Sequence, residues 1–142
     1  MGQYFYVINL TKKEYLYPHK FGDGLKLMEF GASGRGTMLG LALLLRQSSE
    51  GGGGDYHGEH EYLGRWAGDQ IAIVGDYDES NLYQIADESY TDISWDVLEM
   101  MLEDEYVLQS FQEYGDRFLL REAPKRIKDL IEGKAEPRRY TL

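Results

Sequence analysis

The sequence predicts an α+β protein with a small, mainly antiparallel sheet, one buried central helix and a helical C-terminal part. Short aromatic and β-branched segments dominate about the first 90 residues, as in strands. After residue 94, apolar residues recur at helical spacing. A chain of 142 residues can bury a core of its own without disulfides or metals. We therefore expect one domain over residues 1–133 and a tail over residues 134–142.

Composition excludes several classes of protein. The chain has no cysteine, which excludes disulfide scaffolds, cysteine-ligated zinc sites and thiol nucleophiles. Its hydrophobic content of 42% and aromatic content of 13% exclude an intrinsically disordered chain. The longest apolar run, residues 38–45, is far shorter than the roughly twenty residues of a membrane helix. The first ten residues also lack the pattern of a signal peptide. These observations predict a cytoplasmic protein without a membrane partner.

The formal net charge of −10 is distributed unevenly along the chain. Residues 47–116 carry eighteen acidic side chains and one basic side chain, Arg65, whereas the flanking segments are net basic. An acidic middle repels phosphate, so direct binding of nucleic acid there is not expected. Two interpretations remain open for this segment. It is either a solvated face that pairs partly with the protein's own basic ends, or a surface that engages a basic partner.

A hairpin is predicted at the start of the chain. Residues 3–9 are aromatic and β-branched, as in a strand, and residues 14–17 form its partner after a turn, ended by Pro18. Residues 19–24 are expected to form a loop. Residues 25–30 are compatible with either a strand or a helical turn.

The buried central helix is predicted over residues 38–47. This segment is apolar nearly all round, as in a helix that is surrounded by core. A glycine-rich link over residues 31–36 precedes it, and Thr37 is placed to cap it. Four consecutive glycines follow within residues 48–58, which we expect to form a mobile surface loop.

A second hairpin is predicted in the middle of the chain. Residues 62–66 and 70–75 are the candidate strands, joined by a turn at Ala67-Gly68-Asp69. Residues 82–86 are predicted as a further short strand.

The last third is predicted to be helical. Ser94 can cap the first helix, which begins near Trp95, and the apolar spacing continues up to Tyr114 in a second helix or in an extension of the first. The third begins near Pro124 and ends at Gly133.

The glycine-rich link is the first candidate site. Its sequence, FGASGRGT, leads into a helix N-terminus, where free N–H groups and the helix dipole attract phosphate or carboxylate. The glycine spacing resembles a phosphate-binding P-loop, but a threonine replaces the essential lysine, which argues against a nucleotide hydrolase of that class. The alternative is a turn whose glycines permit positive φ or close packing. The ligand-binding residues predicted here are Gly31, Gly34, Arg35, Gly36 and Thr37.

Residues 64–78 contain the second candidate site. Trp66 beside Arg65 can form a platform for a base or sugar next to an anion, although a tryptophan in a hairpin is more often part of the core. Asp76 and Asp78 present oxygen ligands at alternate positions, as at the start of a calcium loop, but the rest of that pattern is missing. Arg65 and Trp66 are therefore predicted ligand-binding residues, and Asp76 and Asp78 are candidate metal ligands. We expect no cofactor, with a divalent cation as the alternative.

The histidines identify no catalytic centre. His57 and His60 lie among carboxylates but beside four glycines, and a catalytic metal site needs a more rigid frame. His19 has no partner that the sequence can name. No Ser-His-Asp grouping, nucleophile elbow or HExxH motif is present.

Three phrases resemble a known group of proteins. EYLYPHKFGDGLKLMEFG, GRWAGDQIAIVGDYD and NLYQIADESYTDIS are similar to a family of small hypothetical proteins from bacteria, archaea and their phages. The resemblance covers about residues 1–98 and excludes the helical stretch after Asp104. That family has no established activity, so the resemblance implies no catalytic residue or cofactor. Its occurrence in phages implies an accessory role such as counter-defence.

We therefore expect a non-enzymatic, homo-oligomeric binding protein whose partner is another protein or a small anionic ligand such as a nucleotide. One alternative is a metal-dependent enzyme acting on phosphate esters or nucleotides through Asp69, Asp76, Asp78 and His19. Another is an acidic mimic of nucleic acid that blocks a basic partner. Chelation tests the first alternative, and steep salt dependence of binding tests the second.

Overall fold

A computed structural model describes residues 2–48, 52–114 and 121–138 of the chain. It confirms the α+β class with a four-stranded, mainly antiparallel sheet. The strands are β1 (Phe5–Asn9), β2 (Glu14–Leu16), β3 (Ile71–Gly75) and β4 (Thr91–Asp92). Their order in the sheet is β3-β1-β2-β4. β1 is antiparallel to both of its neighbours, and β2 and β4 are parallel.

Helices surround this sheet. They are a 3-10 helix (Pro18–Phe21), α1 (Leu27–Gly31), α2 (Thr37–Leu45), α3 (Leu82–Ser89), α4 (Ser94–Leu102), α5 (Glu105–Tyr114) and α6 (Lys125–Ile131). Across the described ranges, no helix has the length and apolar character needed to cross a membrane.

The sheet separates two groups of buried side chains. Neighbouring residues of a strand point to opposite faces, so Val7 and Ile8 of β1 are both fully buried but belong to different groups. Val7 contacts the larger core, which is built with α2, α4, α5 and α6. Ile8 contacts a smaller group that α3 covers from the other face and that includes the buried Ala86 of α3.

The central helix is α2, as the sequence predicts. Leu41, Leu43 and Leu44 are buried, and Gly40 faces α4. A Cβ atom at Gly40 would lie 2.8 Å from Cγ1 of Val97. The close approach of the two helices therefore requires glycine at this position.

Two strand predictions in the middle of the chain are wrong. Residues 62–66 form turns, and β3 pairs with β1 instead of with them. Trp66 anchors these turns to α2, since its N–H donates to the carbonyl oxygen of Leu44 over 2.9 Å. Residues 82–86 belong to α3. Positions four residues apart lie on one side of both a strand and a helix, so this short segment fits either pattern.

Segments expected to be loose are attached to the core. Tyr56, from the segment expected to be a mobile loop, is buried and donates its hydroxyl to the carbonyl oxygen of Met100. The N–H of Arg138, from the expected tail, donates to Glu103 Oε2 over 2.9 Å. The 3-10 helix occupies the start of the loop expected over residues 19–24. Residues 49–51, 115–120 and 139–142, and the predictions that fall on them, lie outside the described residues.

Candidate functional site

The N-terminus of α2 is occupied by the protein's own carboxylate. Asp23 Oδ2 accepts hydrogen bonds from both the N–H and the hydroxyl of Thr37, each over 2.8 Å. Thr37 is fully buried and is the first helical residue of α2. The capping role that the sequence predicts for Thr37 is therefore taken by Asp23. The carboxylate stands where an external anion would bind the helix N-terminus.

The other residues of the predicted anion site also lack the expected arrangement. Gly31, Gly34 and Arg35 are exposed, and a Cβ atom at either glycine would meet nothing within 4 Å. A Cβ atom at Gly36 would collide with the Asp23 carboxylate. Close packing therefore explains the glycine at position 36, and the geometry gives the phosphate-binding interpretation no support.

Arg65 and Trp66 are held by a buried carboxylate. Glu14 Oε2 accepts from Arg65 Nη2 over 2.6 Å, and Glu14 Oε1 accepts from Trp66 Nε1 over 2.8 Å. The Arg65 guanidinium also lies 5.0 Å from the ring centre of Tyr62. Because the indole of Trp66 is fully buried, it is not available as a platform for a ligand.

The candidate metal ligands bind the protein's own groups. Asp76 Oδ1 accepts from the N–H of Tyr4 over 2.9 Å, and Asp78 Oδ2 accepts from the N–H of Ser80 over 3.1 Å. Asp69 Oδ2 pairs with Lys12 Nζ over 2.6 Å. Within the part of the chain that the structure describes, no three His, Asp or Glu side chains are grouped to hold a metal ion.

The histidines likewise have local partners. His60 Nδ1 accepts from the N–H of Tyr62 over 3.2 Å, so the ring proton is on Nε2 and is donated to Glu99 over 2.7 Å. His19 Nδ1 donates to the carbonyl oxygen of Asp23 over 3.0 Å, beside the cap of α2. His57 donates its backbone N–H to Asp104.

A cluster of tyrosines packs ring against ring on the face covered by α3. The rings of Tyr6 and Tyr83 stack at 4.0 Å, and Tyr15 lies 4.8 Å from Tyr6. The hydroxyl of Tyr6 donates to Asp87 over 2.7 Å. Burial raises the pKa of Tyr15 to about 12, so its phenol stays protonated at neutral pH. This cluster is packing for the smaller core.

The two edges of the sheet differ. β4 has only two residues, Thr91 and Asp92, and so presents little backbone to a partner. β3 forms the opposite edge with five residues, Ile71–Gly75, none of them charged or proline. Charges, prolines and short length are the devices that protect edge strands from pairing with other chains. β3 is therefore an open edge.

Hydrogen bonds beyond the ends of β3 show which of its backbone groups face outward. The N–H of Leu10 donates to Gln70 over 2.9 Å, and the N–H of Asp76 donates to Tyr4 over 2.8 Å. In an antiparallel pair, only every second residue of a strand hydrogen-bonds to a given neighbour. The backbone N–H and C=O groups of the even-numbered residues of β3 therefore point towards β1, and those of the odd-numbered residues point away from it. The outward N–H groups belong to Ile71, Ile73 and Gly75. No described residue accepts a hydrogen bond from any of these three groups.

A groove of about 620 Å³ runs along this edge. Ile73 and Tyr77 are its most exposed apolar side chains, with 41% and 61% of their surface accessible. The carboxylates of Asp78 and Glu79 line one end, and no lysine, arginine or histidine lines it. The groove thus combines unpaired backbone donors, apolar surface and negative charge. Its residues are Gln3, Phe5, Ala72–Gly75, Tyr77–Ser80 and Leu82.

Comparison with protein-family models, curated proteins and solved structures found no match. The candidate site therefore depends on geometry alone. Sequence reasoning found the strand but not its open edge, because it assigned residues 62–66 as a hairpin partner. The available signal was an uncharged, β-branched strand bounded by Asp69 and Asp76.

Proposed function

We propose that this chain is a non-enzymatic binding protein that holds an extended segment of a partner protein against the open edge of β3. The observation that carries the proposal is the row of outward N–H groups at Ile71, Ile73 and Gly75 beside a groove that exposes the side chains of Ile73 and Tyr77. In strand addition, main-chain hydrogen bonds supply affinity, and pockets for alternate side chains supply specificity.

The geometry favours this function over the alternatives from the sequence. A small anionic ligand would have to displace Asp23 from the N-terminus of α2. A metal-dependent enzyme needs an assembled centre, and the candidate ligands Asp69, Asp76 and Asp78 each bind other groups of the protein. A purely acidic mimic fits less well, because part of the acidic segment pairs internally, as in the ion pair of Glu103 with Arg126.

The accessory role implied by the resemblance to a family that also occurs in phages is compatible with this proposal. A counter-defence protein without catalytic residues acts by occupying a partner, and an open sheet edge is a means of doing so. The proposal concerns the mode of binding, and the peptide selection described next identifies the sequences that bind the edge.

The test is selection of random displayed peptides of about twelve residues on the intact protein, with counter-selection on Ile73→Pro. Proline removes the outward N–H of residue 73 but leaves the bonds of Ala72 and Val74 to β1. We expect peptides that bind the natural chain and bind Ile73→Pro at least about tenfold more weakly. The variant loses the main-chain hydrogen bond from residue 73 to the peptide, and the bonds on either side of it weaken. Hydrogen exchange should slow at the amides of Ile71, Ile73 and Gly75 when a peptide is bound.

One control variant and a second groove variant separate direct from indirect effects. Ile85→Lys changes an isoleucine of similar exposure, 44%, on α3 outside the groove, and should bind peptide normally. Ile73→Lys keeps the backbone donor but places a charge in the groove, and should weaken binding without disturbing the fold. Thermal melts confirm that each variant is folded. Equal binding by the natural chain and both Ile73 variants, or no protection of the three amides, would refute strand addition.

A further inference from the structure

We infer that the partner segment is basic and that its cationic side chains bind at the C-terminal end of β3. This inference rests on the proposed function and adds the chemistry of the partner. It is argued from the charges at the two ends of the open edge.

Negative charge is concentrated at the C-terminal end of β3. Asp76, Asp78 and Glu79 follow the strand directly, and Asp78 and Glu79 line the groove. Glu79 has no ion-pair partner among residues 2–48, 52–114 and 121–138. The hydrogen bonds that Ser80 donates lower the pKa of Asp78, so this carboxylate is charged at neutral pH.

The N-terminal end of β3 differs, because its carboxylate is already compensated. Asp69 pairs with Lys12 over 2.6 Å and accepts from Asn9 over 2.8 Å. A segment lying along β3 therefore meets uncompensated negative charge at one end only. This asymmetry predicts where its cations lie: at the N-terminal end of an antiparallel segment, or at the C-terminal end of a parallel one.

A second copy of the chain fits the edge less well than a basic segment does. A two-fold antiparallel pairing centred on Ile73 would bring the turn after each β3 beside the turn that precedes β3 in the other copy. The carboxylates of Asp76 and Asp78 would then approach Asp69 of the partner copy, and each copy carries a net charge of −10. Like charges at a contact oppose association. Pairing of two copies through β3, as in the homo-oligomer expected from the sequence, is therefore treated as one of the outcomes that the test distinguishes.

The test uses the peptides selected on the natural chain. They should carry lysine or arginine at one end of an apolar, alternating segment. Their affinity should fall at least about fivefold between about 0.05 and about 0.3 M sodium chloride, because salt screens attraction between exposed charges.

Glu79→Lys should weaken binding about tenfold and Glu79→Gln by less, since the charge reversal adds repulsion. The matched control is Glu88→Lys, an exposed glutamate of α3 outside the groove, which should bind within about twofold of the natural chain.

The outcomes separate this inference from the proposed function. If no selected peptide is sensitive to Ile73→Pro, strand addition fails and the inference fails with it. If Ile73→Pro-sensitive peptides are neutral or acidic and bind equally at both salt concentrations, the proposed function stands and the basic partner is refuted. Sedimentation of the natural chain alone gives the third outcome: a dimer that Ile73→Pro converts to a monomer would place a second copy on the edge and overturn the inference.

Discussion

Glu14 illustrates how a single ionised side chain is accommodated inside this fold. Glu14 is the first residue of β2, and its buried carboxylate accepts hydrogen bonds from the guanidinium of Arg65 and from the indole N–H of Trp66. Burial alone raises the pKa of such a group, but the hydrogen bonds from Arg65 and Trp66 outweigh it and hold the pKa of Glu14 below its ordinary value of 4.5. The charged form is therefore the one that the folded state prefers.

This preference makes stability depend on pH in a defined direction. Because the pKa of Glu14 is lower in the folded state than in the unfolded state, its contribution is complete above the unfolded value and is lost as pH falls through the folded value. We expect Glu14→Gln to lower the free energy of unfolding at pH 7 by about 1.5–3 kcal/mol, the range for hydrogen bonds to charged groups. The difference between the two proteins should shrink below about pH 4.5.

Urea unfolding at several pH values measures this effect. The control is Glu88→Gln, an exposed substitution on α3 that should shift the free energy by less than about 0.5 kcal/mol at every pH. A constant difference between Glu14→Gln and the natural chain across the acid range would show that the charge on Glu14 contributes nothing to folding.

At the scale of residues, the sequence could predict chemistry but not partners. It offered the core as the more frequent place for Trp66, and the indole is buried there. It could not reveal that Asp23 caps α2, because Asp23 and Thr37 are fourteen positions apart and meet only after the chain folds back. The glycine-rich link therefore resembled a free anion site, although its helix N-terminus is satisfied within the protein.

At the scale of elements, local patterns predicted the existence of strands better than their pairing. β1, β2 and β3 lie within predicted strands, and α2, α4, α5 and α6 lie at or near predicted helices. The pairing of β3 with β1 joins residues more than sixty positions apart, and nothing in a local pattern encodes such a contact. The open edge of β3 follows from that pairing, so the candidate site could not be predicted from the sequence.

The packing of α2 on α4 makes a prediction at this same scale. Alanine normally favours a helix over glycine by about 1 kcal/mol. At Gly40 the added methyl group would lie 2.8 Å from Val97 Cγ1 and 3.2 Å from Met101 Sδ, so one of the helices must move. We expect Gly40→Ala to destabilise the protein by about 1–3 kcal/mol, the usual cost of overpacking.

Gly31→Ala is the matched control for this prediction. Gly31 is the last residue of α1, and its Cβ would meet nothing within 4 Å. This substitution should leave the free energy of unfolding unchanged or raise it slightly. If urea titration finds Gly40→Ala as stable as Gly31→Ala, the two helices are not held at the close distance that the structure gives.

At the scale of the whole molecule, Glu103 connects parts of the chain that are distant in sequence. It is fully buried at the C-terminal end of α4 and accepts from Arg126 of α6 over 2.7 Å and from the N–H of Arg138 over 2.9 Å. The carbonyl oxygen of Arg138 in turn accepts from the N–H of Glu59 over 3.1 Å. The acidic middle thus pairs partly with the basic C-terminal segment, one of the two interpretations that its charge allows.

Arg126→Ala tests how far this connection stabilises the fold. The substitution would leave the buried charge of Glu103 with only the N–H of Arg138 and a guanidinium Nε at 3.7 Å, and breaking a buried pair costs about 3–5 kcal/mol. Its neighbour Lys125 pairs with Asp129, but the lysine side chain is 88% exposed, so Lys125→Ala should cost less than about 0.5 kcal/mol. In a Glu103→Gln background the cost of Arg126→Ala should fall, because no buried charge is left unpaired. Urea unfolding measures these three changes in the free energy of unfolding.

Hydrogen exchange should show the amides of Glu59, Arg138 and α6 losing protection together in Arg126→Ala. Loss confined to α6 would mean that Glu103 stabilises one helix locally and does not join the C-terminal segment to the rest of the molecule.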